Sequence, residues 1–254
     1  MLRHRVIPVL LLCDAKLVKT LCFKGPKYIG DPINAIRIFN EKEVDEVIVL
    51  DITASKGNRE PDYELVEQLA GECFIPLTYG GGVRTVNQAR RIFASGVEKI
   101  CIQTAALENQ HLVRELADLF GSQSIMVSLD IKRNWLGRAQ VFAAAMGRPI
   151  FEDWLQVLTD LVGLGAGEVL LNAVDKDGTL AGPDFDLIRQ ASRRINVPLI
   201  AMGGVSSLAD IKSAVEAGAS AVAAGAFFLY HGPHRAVLIT YPRYDELERL
   251  FAQP

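Results

Sequence analysis

The sequence predicts a single (β/α)8 barrel, and three observations predict it. Short apolar or β-branched runs recur eight times along 254 residues, helix-length segments with polar faces separate them, and the second half of the chain repeats the first. The candidate strands are 7–12, 47–52, 75–79, 100–104, 125–131, 169–174, 198–202 and 221–226. Between them the helical pattern falls on 32–44, 62–73, 85–95, 107–120, 151–164, 184–194 and 207–217.

Strands that are apolar throughout, rather than alternating, are buried on both faces, so the sheet is parallel and covered by its crossover helices. Eight such units in this length close into a barrel. An open doubly wound sheet is the other arrangement of alternating strands and helices. It would carry one glycine-rich nucleotide loop near the N-terminus. Here the glycines instead follow the third and seventh runs, as Gly80-Gly81-Gly82 and Gly203-Gly204.

The repeat holds a constant offset of 122 residues without a gap. Glu46-Val47 falls on Glu168-Val169, Pro76-Leu77 on Pro198-Leu199, Gly81-Gly82-Val83 on Gly203-Gly204-Val205, and Gly96 on Gly218. Near the start of each copy the phase shifts by three, which sets Val9-Leu10-Leu11 against Ser128-Leu129-Asp130. The chain therefore reads as one domain over 1–254, built of half-barrels of roughly 1–122 and 123–254.

Composition excludes several classes of function. A net charge of −3 with no long basic run gives no electrostatic footprint for nucleic acid. No apolar stretch is long enough to cross a membrane, and Met1-Leu2-Arg3-His4-Arg5 leads directly into a strand-like run rather than a signal sequence. A soluble cytoplasmic protein is the expectation. Cys13, Cys22, Cys73 and Cys101 form no CxxC pair, and the one close histidine pair, His231 and His234, flanks Gly232-Pro233. The thiols read as buried or incidental, and neither a metal nor a cofactor is called for.

In a barrel the active face is built from the loops that leave the C-terminal strand ends. Gly81 and Gly82 in one half, and Gly203 and Gly204 in the other, lie there, each followed by a hydroxyl at a helix start, Thr85 or Ser206-Ser207. Backbone amides without side chains can approach an anion, and the helix dipole favours it. The next strand ends, Gln103-Thr104 and Ala224-Gly225, would complete two cradles suited to a ligand with a phosphate at each end. The glycines also suit tight strand-to-helix turns, and both readings stand at this point.

These residues carry a resemblance to a known family. Arg5-Val6-Ile7-Pro8, Val18-Lys19, Gly30-Asp31-Pro32, Leu50-Asp51-Ile52-Thr53-Ala54-Ser55, Gly80-Gly81-Gly82, Thr104-Ala105-Ala106, Asp130, Gly165-Ala166-Gly167-Glu168, Asp177-Gly178-Thr179 and Gly203-Gly204 occur in order over about residues 1–230. The chain resembles the cyclase subunit of imidazole glycerol phosphate synthase, of histidine biosynthesis. The resemblance implies a (β/α)8 barrel paired with a glutaminase. Ammonia would pass through the barrel to a bis-phosphorylated ribulosyl imidazole-carboxamide, whose imidazole ring is then closed. It implies phosphates at the two cradles, with Gly178 at the second, and ligand contacts from Lys19, Asp51 and Asp177.

The resemblance also implies two catalytic acids, at positions 130 and 11, and position 11 is Leu11. A leucine moves no proton, whereas general acid–base assistance contributes about 10²–10⁴ in rate. Asp14 lies nearby, but the family also has an acid there and does not use it in this role. Gln103 replaces a shorter amide, and Asn172, Met202 and Gly225 replace hydroxyl residues. Asp130 stands either as a proton-handling group or as a polar strand end.

Arg5, Glu46, Lys99 and Glu168 precede strands one, two, four and six, and a barrel would gather them into a ring of alternating charge at its N-terminal mouth. A surface salt-bridge layer accounts for such a ring; the resemblance implies an ammonia gate facing the glutaminase. The leading expectation is a paralogue that keeps the gate and conduit while serving a separate sugar amidotransferase, in amidino sugars of lipopolysaccharide. The stretch 233–239 resembles that group. The rival expectations are an orthodox cyclase, a non-catalytic scaffold for the glutaminase, and a phosphosugar isomerase on the same plan.

Overall fold

The structure is a computed structural model, and it describes residues 4–150, 153–232 and 234–252. Eight parallel strands close on themselves: β1 (Arg5–Cys13), β2 (Val47–Asp51), β3 (Leu77–Gly80), β4 (Lys99–Ile102), β5 (Ile125–Arg133), β6 (Glu168–Ala173), β7 (Leu199–Met202) and β8 (Ala221–Ala224). Each pairs with the next, and β8 returns to β1 with Arg5 opposite Ala221. The expected (β/α)8 barrel is the fold observed.

Outside it lie α1 (Pro32–Glu41), α2 (Tyr63–Glu72), α3 (Val86–Ala94), α4 (His111–Phe120), α5 (Trp154–Gly163), α6 (Phe185–Ser192), α7 (Leu208–Glu216) and α8 (Tyr244–Ala252). Their starts follow capping chemistry. Asp31 accepts from the Asn34 amide ahead of Pro32, and Thr85 and Gln88 form a reciprocal capping box at α3. The helix expected over 151–164 is seen from Trp154; residues 151 and 152 lie outside the described residues, as do residues 1–3 and Pro233.

Closure divides the core in two. Side chains of one parity, such as Val6, Leu10, Val47, Val49 and Leu171, join Phe39, Ile36 and Leu116 of the helices in an outer layer. The other parity, including Ile7, Val9, Leu11, Ile48, Met126, Leu170 and Ile200, fills the barrel axis. Register repeats with the sequence: Leu11 lies opposite Leu50, and its counterpart Asp130 opposite Asn172.

Three elements depart from the expectation. The segment 107–120 is two helices, Thr104–Glu108 and His111–Phe120, because Asn109 between them is extended. After β1 the chain makes a hairpin, Lys16–Leu21 with Lys24–Gly30; β5 continues into Ala139–Ala143 and Arg148–Ile150. The turns Asp14-Ala15 and Cys22-Phe23 hold both central residues at positive φ, the geometry of a tight hairpin turn that sequences usually mark with Asn-Gly or Asp-Gly. Without that marker they gave no signal.

Phe39, fully buried on α1, bridges helix and barrel in the outer layer. Phe39→Ala should destabilise the fold by about 3–5 kcal/mol. Urea unfolding should show a lower midpoint at unchanged slope, since the cavity alters stability and not the surface exposed.

Candidate functional site

At the N-terminal mouth the four predicted residues meet. Arg5 donates to Glu46 Oε2 at 2.5 Å and to Glu168, while Lys99 Nζ lies 3.1 Å from Glu46 Oε2 and 2.9 Å from Glu168 Oε2. Two cations and two anions alternate, so the ring carries no net charge. Thr78 Oγ1 donates to Glu46 Oε1 at 2.8 Å, a fifth member that sequence reasoning missed. Its signal was parity: Thr78 stands two residues before Gly80, as Lys99 stands two before Cys101. Glu46 and Glu168 are buried while Arg5 and Lys99 are part-exposed, so the ring plugs the barrel axis with its anions innermost.

At the other end the strand ends surround a cavity of about 280 Å³, lined among others by Leu11, Asp51, Gly81, Gln103, Thr104, Asp130, Asn172 and Asp177. A second concavity, of about 10 Å³, is lined by Asp177, Gly178, Gly203, Gly204, Ala224 and Gly225 and shares Asp177 and Met202 with the first. It has room for about one water. The expected site residues thus gather at two adjoining places. Lys19 and Gly82 line neither: Lys19 is buried in an ion pair with Asp177 Oδ1 at 2.8 Å, and the Gly82 amide donates to Ser55 Oγ at 3.2 Å.

The cradle glycines have a steric cause of their own. Gly81, Gly82, Gly203 and Gly204 all hold positive φ. An added Cβ would come within 2.7 Å of the Asp51 carbonyl at Gly81, and within 2.3 Å of the Gly182 carbonyl at Gly204. Packing of the loops against the strand ends therefore demands glycine at these turns.

Asp177 organises the first hairpin over the cavity. Besides Lys19 it accepts from Thr20 Oγ1 at 3.2 Å, and its carbonyl accepts from the Cys22 amide at 2.9 Å. The hairpin tip then brings Phe23 edge-on to Phe142 of the second hairpin, with ring centroids 6.0 Å apart. Asp51 spends one oxygen on its own loop, accepting at Oδ1 from the Thr53 amide and hydroxyl and the Ala54 amide. Asp14 pairs with Arg59 at 3.0 Å and does not line the cavity, so it does not stand in for an acid at position 11.

Asp51, Asp130 and Asp177 line the cavity, and Asp130 is the one held by side-chain amides. Asn172 Nδ2 donates to its Oδ1 at 3.2 Å, and Gln103 Nε2 donates to its Oδ2 and, at 3.2 Å, to the Phe142 carbonyl. Burial pushes its pKa up to about 7; the amide of Asn172 opposes the rise, the charge of Asp177 adds to it, and the amide of Gln103 opposes it. A carboxyl that titrates near neutrality can take or give a proton. Leu11 faces the same cavity from β1, packed in an apolar cluster with Val18 and Leu50. Among the described residues no cluster of His, Cys, Asp and Glu gathers to hold a metal, and no helix is long and apolar enough to cross a membrane.

A closed parallel barrel places its candidate site at the C-terminal strand ends, here a cavity faced by the buried acids Asp130 and Asp177. The chain belongs to the histidine biosynthesis protein family, whose profile matches residues 5–234, and within it to the HisF-type chains. It is 51 % identical over 249 residues to a Pseudomonas aeruginosa chain provisionally named imidazole glycerol phosphate synthase subunit hisF2, covering 98 % of this chain and 99 % of that one. A Leptospira borgpetersenii chain, provisionally named subunit HisF, is 46 % identical over 99 % of this chain and all of its own length. The Streptomyces coelicolor imidazole glycerol phosphate synthase subunit HisF is 40 % identical over 88 % of this chain and 89 % of its own.

A carboxyl raised from an ordinary 3.8 to about 7 has a defined effect on stability. The neutral form is favoured in the folded state, so its contribution is full below about pH 4 and is lost as pH rises through about 7. The loss is on the order of 4 kcal/mol. Urea unfolding across that window should show a pH slope that Asp130→Asn flattens, and carboxyl ¹³C NMR should place the midpoint near 7.

Proposed function

We propose that this protein pairs with a glutaminase, receives ammonia through its barrel, and passes it on without closing an imidazole ring itself. The observation that carries the reading is Leu11: a buried leucine stands at the end of β1, in a frame whose matched position in the second half is Asp130. The ion-pair plug of Arg5, Glu46, Lys99 and Glu168 serves as the gate, opening toward the glutaminase.

In this reading the C-terminal cavity takes a phosphorylated ligand near Gly81, Gln103 and Thr104, and Asp51 contributes a contact. The second place, at Gly178, Gly203, Gly204, Ala224 and Gly225, takes a phosphate only after the loops there move apart, since its volume is that of one water. Lys19 and Asp177 act as a pair, holding the first hairpin. The chain is one barrel domain of two half-barrels, about residues 1–122 and 123–254, which the repeated strand registers support.

The nitrogen goes to a separate sugar amidotransferase, which makes amidino sugars for lipopolysaccharide, in the cytoplasm. Relatives named as second or third copies, hisF2 in Pseudomonas aeruginosa and hisF3 in Vibrio vulnificus, support a paralogue over the histidine-pathway cyclase.

An assay of the purified chain with ammonium salt and the bis-phosphorylated imidazole-carboxamide tests this directly. Cyclisation should run about 10²–10⁴ below that of a cyclase with both acids. Turnover at the rate of such a cyclase would overturn the reading in favour of an orthodox one.

A further inference from the structure

The interior of the barrel forms columns, because every second residue of a strand faces the axis. From the plug upward, β6 contributes Glu168, Leu170 and Asn172, and β4 contributes Lys99, Cys101 and Gln103. Above the plug the axis is apolar, filled by Ile7, Ile48, Met126, Leu170 and Ile200. An ion crosses such a layer only at a large desolvation cost, so what passes is small and neutral. The Ser128 hydroxyl lies opposite Leu170, and the next polar groups above it include Gln103, Asp130 and Asn172, joined by hydrogen bonds.

One atom of this cluster is left over. Asn172 is 4 % exposed, and its Oδ1 is buried without a hydrogen-bond partner. The other such side-chain atom among the described residues is Arg84 Nε, which does not line the cavity. An unsatisfied buried acceptor costs about 1–3 kcal/mol. Packing does not require an amide here: in the first half the matched register pair is Leu11 with Leu50, two leucines, where the second half has Asp130 with Asn172. The orphan oxygen therefore calls for a donor that the protein does not supply.

We propose that Asn172 is the receiving point for neutral ammonia at the head of the barrel, its Oδ1 accepting one ammonia N–H while Asp130 beside it accepts another. The assignment rests on the reading that ammonia enters through the gate. Each carboxylate oxygen of Asp130 has one donor in place and keeps a further lone pair. Ammonia offers three donors and one lone pair to this row of acceptors. A water offers only two donors to the same row.

The test uses the ¹⁵N- and ¹³C-labelled chain alone, titrated at alkaline pH with ammonium chloride and, separately, sodium chloride. Ammonium chloride should give a saturable shift of the Asn172 side-chain amide and the Asp130 carboxyl that sodium chloride does not give. Asn172→Leu, close in size, should abolish the Asp130 response. No response in the native chain, an equal response to sodium chloride, or an unchanged Asp130 response in the variant would overturn the assignment. Because no partner is present, failure to pair with a glutaminase leaves this result standing, and a missing ammonia response leaves the pairing standing.

Discussion

Closure of the parallel sheet is the constraint from which the rest follows. Once β8 pairs with β1 none of the eight barrel strands has a free edge, and each must send alternate side chains to the axis and to the helices. The axis is then built in layers. Charged residues two positions below the apolar ones are forced together at the N-terminal mouth, where Arg5, Lys99, Glu46 and Glu168 neutralise one another. Glu46 or Glu168 alone would be a costly buried charge; with the part-buried Arg5 and Lys99, and with Thr78, they form a plug whose partners are fixed by strand register.

The same constraint sets the chemistry at the opposite mouth. Position 11 on β1 and position 130 on β5 are matched by the repeat, and both face the cavity. One wall therefore presents Leu11 with Leu50, and the other Asp130 clamped by Gln103 and Asn172. Desolvation on that second wall is what lifts Asp130 toward neutrality. The loops above are tied down through Asp177, whose pairing with Lys19 and Thr20 holds the first hairpin where Phe23 can reach Phe142.

Much of this was legible in the sequence, for a physical reason. Strands buried on both faces are marked by unbroken apolar runs, and duplication marks matched strand ends, so the barrel, the charged ring and the Leu11–Asp130 asymmetry could all be read. The hairpins could not, because Ala15, Cys22 and Phe23 adopt positive φ without the residues that usually announce it. Nor could the role of Lys19: its sequence position shows a cation near the mouth, but only the fold reveals that Asp177 already satisfies it. The cradle glycines suited both anion contacts and tight turns, and the structure supplies the turn's steric demand, from Asp51 and Gly182.

A preserved frame is joined to an altered floor: an ion-pair plug at one mouth, an apolar axis, and at the strand ends matched by the repeat Asp130 on one side and Leu11 on the other. The central claim is that the gate faces a glutaminase. Size-exclusion chromatography of the purified chain with the glutaminase subunit of its own source, with glutamine hydrolysis assayed across the column, tests it most directly. Co-elution as a heterodimer in which glutamine hydrolysis is raised is expected, with weaker coupling when Lys99 is replaced by alanine. Separate elution with unchanged hydrolysis would contradict it.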